Sequence, residues 1–176
     1  MIYNAPSKGD DGLYFVKTLN DDKRKCLVQL NKVKISECSP TGELVMDFAP
    51  GGVASGKIED IDTRNLEAAL ENCESWFGKK LSESVIKGAY TPGLKDDQVT
   101  GERIDVTKVF NAQQELIDFE NIQSDKTCDV ILEFAGLWFA KKAFGPTWNI
   151  VQVRVHDDPI LDTYPEEYAF VDEDDQ

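Results

Sequence analysis

The stretch 127–156 constrains the fold more than any other part of the chain. Cys128, Val130, Leu132 and Phe134 alternate with Asp129, Ile131 and Glu133. Farther on, Asn149, Val151, Val153 and Val155 share one face of a second run, and Trp148, Ile150, Gln152, Arg154 and His156 share the other. A two-residue period belongs to extended chain packed on one face. Residues 136–146, between the runs, read as a connection, so the pattern predicts a long antiparallel hairpin.

Shorter runs supply further strands. Residues 13–19 are β-prone, with Asn20-Asp21-Asp22 as their turn. In 26–35, Leu30, Val33 and Ile35 alternate with Asn31, Lys32 and Lys34, and the slip at Asn31-Lys32 predicts a bulge. Ser39-Pro40-Thr41-Gly42 signals a turn, residues 43–48 form the returning arm, and Pro50-Gly51-Gly52 ends it. Leu66, Ala69, Leu70, Cys73, Trp76 and Phe77 recur at three- and four-residue spacing, which predicts one amphipathic helix capped by Asp62 or Thr63 and closed by Gly78. Residues 84–90 are open to a strand, 103–106 read as another, and 110–119 are open to strand, helix or loop. Residues 1–12 read as a loose leader. Several strands, several turns and one helix predict a mainly β chain: an OB-fold-like Greek-key barrel with one amphipathic helix and a disordered acidic C-terminal tail.

The tail follows from charge. From Asp157 onward there are six Asp, three Glu and no Lys or Arg, so nine of the fourteen net negative charges lie there and five remain on residues 1–156. Such density cannot bury itself. The expected division is a folded unit over 1–158 and a flexible tail over 159–176. Hydrophobic residues make up 41% of the chain, enough for a core. No apolar run reaches the roughly 18 residues of a membrane span, and the first residues carry no basic-then-apolar leader, so an intracellular protein without a membrane partner is expected. Cys26, Cys38, Cys73 and Cys128 form no C-x-x-C pair and read as reduced core residues.

No catalytic set stands out, and the chain does not read as an enzyme. His156, beside Asp157 and Asp158, is the single histidine. Residues 50–57 resemble a phosphate loop superficially, but Lys57 is followed by Ile58 where Ser or Thr would hold magnesium, so they read as a flexible loop. No carboxylate cluster singles out a metal site, and no cofactor is implied.

Nucleic acid has better material. Single strands are bound by rings that stack on bases and by cations that follow the backbone. Trp138, Phe139, Phe144 and Trp148 interleave with Lys141 and Lys142, and Lys32, Lys34, Lys79, Lys80 and Arg154 could line the same groove. The tail could occupy that groove as a tethered phosphate mimic, at an effective concentration on the order of millimolar, and be displaced by DNA. Tyr168, Phe170, Asp172, Glu173, Asp174 and Asp175 would then hold a protein partner.

Residues 132–139 and 141–153 resemble a G-[IL]-W … F/Y-G-x-[TS]-[WY]-x-x-x-Q signature, carried by Gly136, Leu137, Trp138, Phe144, Gly145, Thr147, Trp148 and Gln152. The signature belongs to single-stranded DNA-binding proteins of large nucleocytoplasmic DNA viruses, which resemble in turn the acidic-tailed proteins of podovirus-type phages. The resemblance covers about 25 residues plus the aromatic-acidic end. It implies an OB-fold, sequence-independent single-strand binding in replication, recombination or repair, often a homodimer, and a tail that recruits polymerase or helicase. For a viral chain it implies the host nucleus or a cytoplasmic replication site. Phe170, the last aromatic, lies six residues from the end, so docking through a terminal aromatic is not matched. The alternative is an acidic protein–protein adaptor or virion-associated protein that never touches nucleic acid.

Overall fold

The computed structural model describes residues 1–10, 12–157 and 170. In chain order the elements are β1 (Ile2–Tyr3), β2 (Ser7–Lys8), β3 (Tyr14–Leu19), β4 (Cys26–Cys38), β5 (Glu43–Asp47), α1 (Val53–Glu71), α2 (Cys73–Phe77), α3 (Glu83–Ala89), β6 (Gln98–Phe110), β7 (Leu116–Ile117), a 3-10 turn at Phe119–Asn121, β8 (Thr127–Phe139) and β9 (Phe144–Val155). Pairing runs β4–β5–β6–β9–β8 and back to β4, antiparallel except for β6 with β9. This is a closed five-stranded Greek-key barrel of the OB type. Leu30, Ile35, Leu44, Met46, Val130, Leu132, Phe134, Ile150 and Val153 fill it, each fully buried.

The expected hairpin is present but tighter than its composition suggests. Strand continues to Phe139 and resumes at Phe144, so the connection shrinks from 136–146 to a turn closed by Ala140 N–H donating to Ala143 O at 2.8 Å. Two bulges make this possible. One, at Ala135-Gly136, sets both Phe134 and Leu137 inward. The other, near Val151, shifts the register between Leu132↔Ile150 and Ile131↔Gln152. Trp148, Ile150 and Val153 therefore all point into the core, whereas strict alternation had divided them between two faces. The slip at Asn31-Lys32 is a bulge as expected, with Lys32 at φ 55° and the register broken between Leu30 and Val33.

Four local expectations are corrected. The leader is not loose, because β1 and β2 pair antiparallel with β3. The helix begins at Val53, nine residues before Asp62, and residues 50–57 are its entry. Ser55 Oγ donates to the carbonyls of Gly52 and Ala49 there. Asp62 is thus no cap: buried inside α1, it accepts from Tyr90 Oη at 2.5 Å, Gly93 N–H at 2.8 Å and Leu94 N–H at 3.1 Å. Gly78 does end the helical stretch, at φ 74°. Residues 84–89 lie in helix α3 and Tyr90 is its extended C-cap, with Ser82 accepting from Val85 N–H and Lys87 2.8 Å from Glu83 one turn earlier. All four cysteines are free; Cys26 and Cys128 are buried, and Cys38 and Cys73 are half-buried. Burial pushes the Cys128 thiol up to about 12. Among the described residues no helix is long and apolar enough to cross a membrane.

Gly136 sits at φ 150°, and a Cβ there would stand 2.1 Å from Val16 O and 2.8 Å from the Phe15 ring. Gly56, inside α1, has nothing within 4 Å of its missing Cβ. Gly136→Ala is expected to lower unfolding free energy by about 2–4 kcal/mol, while Gly56→Ala should be neutral or add about 0.5–1 kcal/mol. Urea denaturation of the two variants checks the contrast.

Candidate nucleic-acid interface

The four rings named from the sequence divide. Phe139, Phe144 and Trp148 are 8%, 1% and 4% exposed, so no ring face is left for a base. They join the helices to the barrel: Phe139 and Phe144 stack with centroids 5.4 Å apart, Phe77 of α2 meets both edge-on, and Tyr90 packs on Phe144 at 5.1 Å. Trp138 points the other way and is half-buried on the outside.

The outer face of β8 carries the candidate surface. Register places Trp138 opposite Phe15, Gly136 opposite Lys17, Glu133 opposite Leu27, Ile131 between Gln29 and Gln152, and Asp129 opposite Arg154. These rows form one strip about 30 Å long at about 3.3 Å per residue. Three hollows open along it. The first, about 530 Å³, is lined by Leu13, Tyr14, Phe15 and Trp138 with Ser7, Gly9 and Asp10. Tyr14 is 53% exposed. The second, about 750 Å³, holds Lys17, Lys23, Arg24 and Lys25 over the apolar side chains of Leu19 and Leu27. The third, about 340 Å³, is lined by Gln29, Phe110, Gln114, Ile131, Gln152 and Arg154, with Asp129 and Val153.

Glycines seat the rings of the first hollow. The tip of Phe15 lies over Gly136, and Trp138 Cζ2 would stand 3.0 Å from a Cβ on Gly145, its cross-strand partner. A side chain at either glycine would lift a ring off the sheet.

The two β8 carboxylates are answered locally. Glu133 accepts from Lys25 Nζ and Asn149 Nδ2, each at 3.3 Å. Asp129 accepts from Arg154 Nε at 2.9 Å and from Nη2, from Lys32 N–H at 2.9 Å, and lies 2.9 Å from His156 Nε2. Burial works to raise the Asp129 carboxyl, but the Lys32 N–H, Arg154 and His156 outweigh it and hold the group below its ordinary value.

The other sequence candidates fall as follows. Lys141 and Lys142 are exposed in the β8–β9 turn, next to the Tyr14↔Phe139 pair. Lys32, Lys34 and Arg154 sit at the opposite end of the strip, where Lys34 lies 3.5 Å from Asp125 and Arg154 is committed to Asp129. Lys79 and Lys80 are exposed between α2 and α3, with Lys80 3.8 Å from Glu74. Phe170 is exposed; Tyr168, Asp172, Glu173, Asp174 and Asp175 lie outside the described residues. Sequence reading missed Tyr14, Phe15, Lys17 and the triplet Lys23-Arg24-Lys25. The triplet is the chain's one run of three cations, and that was the available signal.

The connectivity and the strip define an OB-fold protein whose outer barrel wall presents rings, cations and amides in series. The chain belongs to the DUF5871 family, a family of unknown function, matched over residues 31–172. No curated protein matches it. Among solved structures it is similar to the single-stranded DNA-binding protein from bacteriophage Enc34, at 15% identity and TM-score 0.52 over 99% of this chain and 98% of that one. A C-terminal truncation of that protein matches at 13% identity and TM-score 0.52, over 90% and 97%. Its complex with single-stranded DNA matches at 12% and 0.50, over 89% and 96%.

The Asp129 cluster gives a pH dependence with a defined sign. A carboxyl whose folded value is depressed contributes stability above its unfolded value, near 3.9, and loses it as pH falls through the folded value. Asp129→Asn is expected to cost about 1.5–3 kcal/mol at pH 7 and to flatten the decline in stability below about pH 4. Urea unfolding of both proteins between pH 7 and pH 3 measures this.

Proposed function

We propose that this protein binds single-stranded DNA along the outer face of β8 and requires no sequence motif. The carrying observation is the row of three hollows, with exposed Tyr14 and half-buried Phe15 and Trp138 at one end and four cations in the middle. Stacking on Tyr14, Phe15 and Trp138 would contribute roughly 1–3 kcal/mol per base. Lys17, Lys23, Arg24 and Lys25, joined by Lys141 and Lys142 at the turn, would follow the phosphates. The fold shared with the single-stranded DNA-binding protein from bacteriophage Enc34, solved also in complex with ssDNA, supports the reading. So does the resemblance of 132–153 to the viral signature.

A role in replication, recombination or repair belongs to the same proposal. So does a tail over 159–176 that competes for the strip and recruits polymerase or helicase through Tyr168, Phe170 and the acidic residues 172–175. Homodimerisation is an open part of it. The adaptor alternative draws on the other side of the barrel, where Glu43 stands opposite Glu102 on β5 and β6 and Asp47 lies one pair beyond Met46.

Fluorescence anisotropy of labelled oligo-dT at low and moderate salt tests the proposal. The full chain is expected to bind, with affinity falling as salt rises. Replacing Lys23, Arg24 and Lys25 with Ala should reduce the log–log salt slope by about 0.7 for each phosphate no longer neutralised. Trp138→Ala should weaken binding and leave the slope unchanged. A chain ending at Asp158 should bind more tightly. An absence of binding even at low salt would transfer support to the adaptor reading.

A further inference from the structure

The third hollow differs in chemistry from the other two. Its seat is apolar: Ile131, flanked in one cross-strand row by Gln29 on β4 and Gln152 on β9. Adjacent Cβ atoms in such a row are about 5 Å apart, so two amides straddle the seat about 10 Å from each other. Phe110, half-buried and opposite Arg154, makes a wall, and Gln114 closes the rim from the turn after β6. The volume of about 340 Å³ lies within the range of small-molecule sites.

Charge decides what fits. A phosphate entering here would meet the Asp129 carboxylate and an Arg154 whose Nε and Nη2 already donate to it. A planar, uncharged ring with donors and acceptors on its edge meets an aromatic wall, an apolar seat and side-chain amides that offer both. A nucleobase has that chemistry, and Gln side chains are suited to reading base edges in pairs of hydrogen bonds.

We infer that the hollow formed by Gln29, Phe110, Gln114, Ile131 and Gln152 is a base-reading subsite that takes one unstacked nucleobase from a bound single strand and gives the protein a preference in base composition. The inference rests on the reading of the strip as a single-strand path, with cations holding the backbone and this hollow receiving one base.

The test is anisotropy titration of oligo-dA, oligo-dC and oligo-dT of equal length against the full chain, then against Gln29→Ala/Gln152→Ala and against Phe110→Leu. The glutamines lie on the outer wall and can be removed without opening the core, and unchanged urea midpoints confirm the fold. The full chain is expected to separate best from worst oligomer by about five-fold or more, the lower end for a paired amide–base interaction. Both variants should compress that spread towards unity and keep the salt slope. Stacking within each free oligomer is common to all three proteins, so the change in spread isolates the hollow. Equal affinities, or a spread that survives in both variants, would overturn the subsite and leave salt-dependent binding intact. Failure of every oligomer to bind at low salt would remove the single-strand reading and the subsite together.

Discussion

Barrel closure depends on β9 bonding along both edges, to β8 antiparallel on one side and to β6 in parallel on the other. Without the parallel pair the sheet would be open, with two unpaired edges and an uncovered apolar face. Closure also fixes side-chain direction. Once β8 and β9 are joined from Cys128↔Val155 to Phe139↔Phe144, each residue of the hairpin is either core or outer wall. The two bulges are where the chain reconciles that requirement with its sequence. They set Leu137 inward after Phe134, and Val153 inward after Ile150.

Core packing and outer wall share the same short segment. Phe139 and Phe144 face in and hold α2 and α3. Trp138, one residue away, faces out over Gly145. The signature residues Gly136, Trp138, Phe144, Gly145 and Trp148 thus record two separate demands. Trp148 and Phe144 are apolar volume for the core, while Gly136 and Gly145 are flat ground on which outer rings lie. An aromatic-rich motif of this kind marks a ligand surface only at those rings that the pleat turns outward.

That distinction explains how much the sequence made legible. Strand positions and the Lys32 bulge were readable because alternation and its interruption are local. The parallel closure by β6 and β9 was not, since it pairs Arg103 with Ile150 across 47 positions of sequence with no local mark. Helix α1 was placed late because Asp62 resembles a cap in sequence and is in fact a buried acceptor for Tyr90 and the 93–94 backbone, partners supplied by the tertiary fold. Three of four stacking candidates went inward because strand runs through most of the stretch read as a connection, so the pleat buries Phe139 and Phe144, and Trp148 faces the core with Ile150. Phe15 and Lys17 were passed over because β3 carries no motif, and only its register with Trp138 and Gly136 brings them to the strip.

A chain with net charge −14 can present a path for a polyanion only by segregating its charges. In many OB-folds the second and third barrel strands take the oligonucleotide. The equivalents here, β5 and β6, oppose Glu43 to Glu102 and carry Asp47 on the same ladder, and like charges facing each other across a ladder are destabilising. On β8 each carboxylate is matched by a cation or an amide: Glu133 by Lys25 and Asn149, Asp129 by Arg154 and a backbone N–H. Lys17, Lys23 and Arg24 then remain over the middle hollow without a carboxylate lining it. Under the proposed function, a phosphate backbone would be repelled from the β5–β6 wall and drawn to β8. The placement of charge, more than its total, would then select which wall of a common barrel can serve a polyanion.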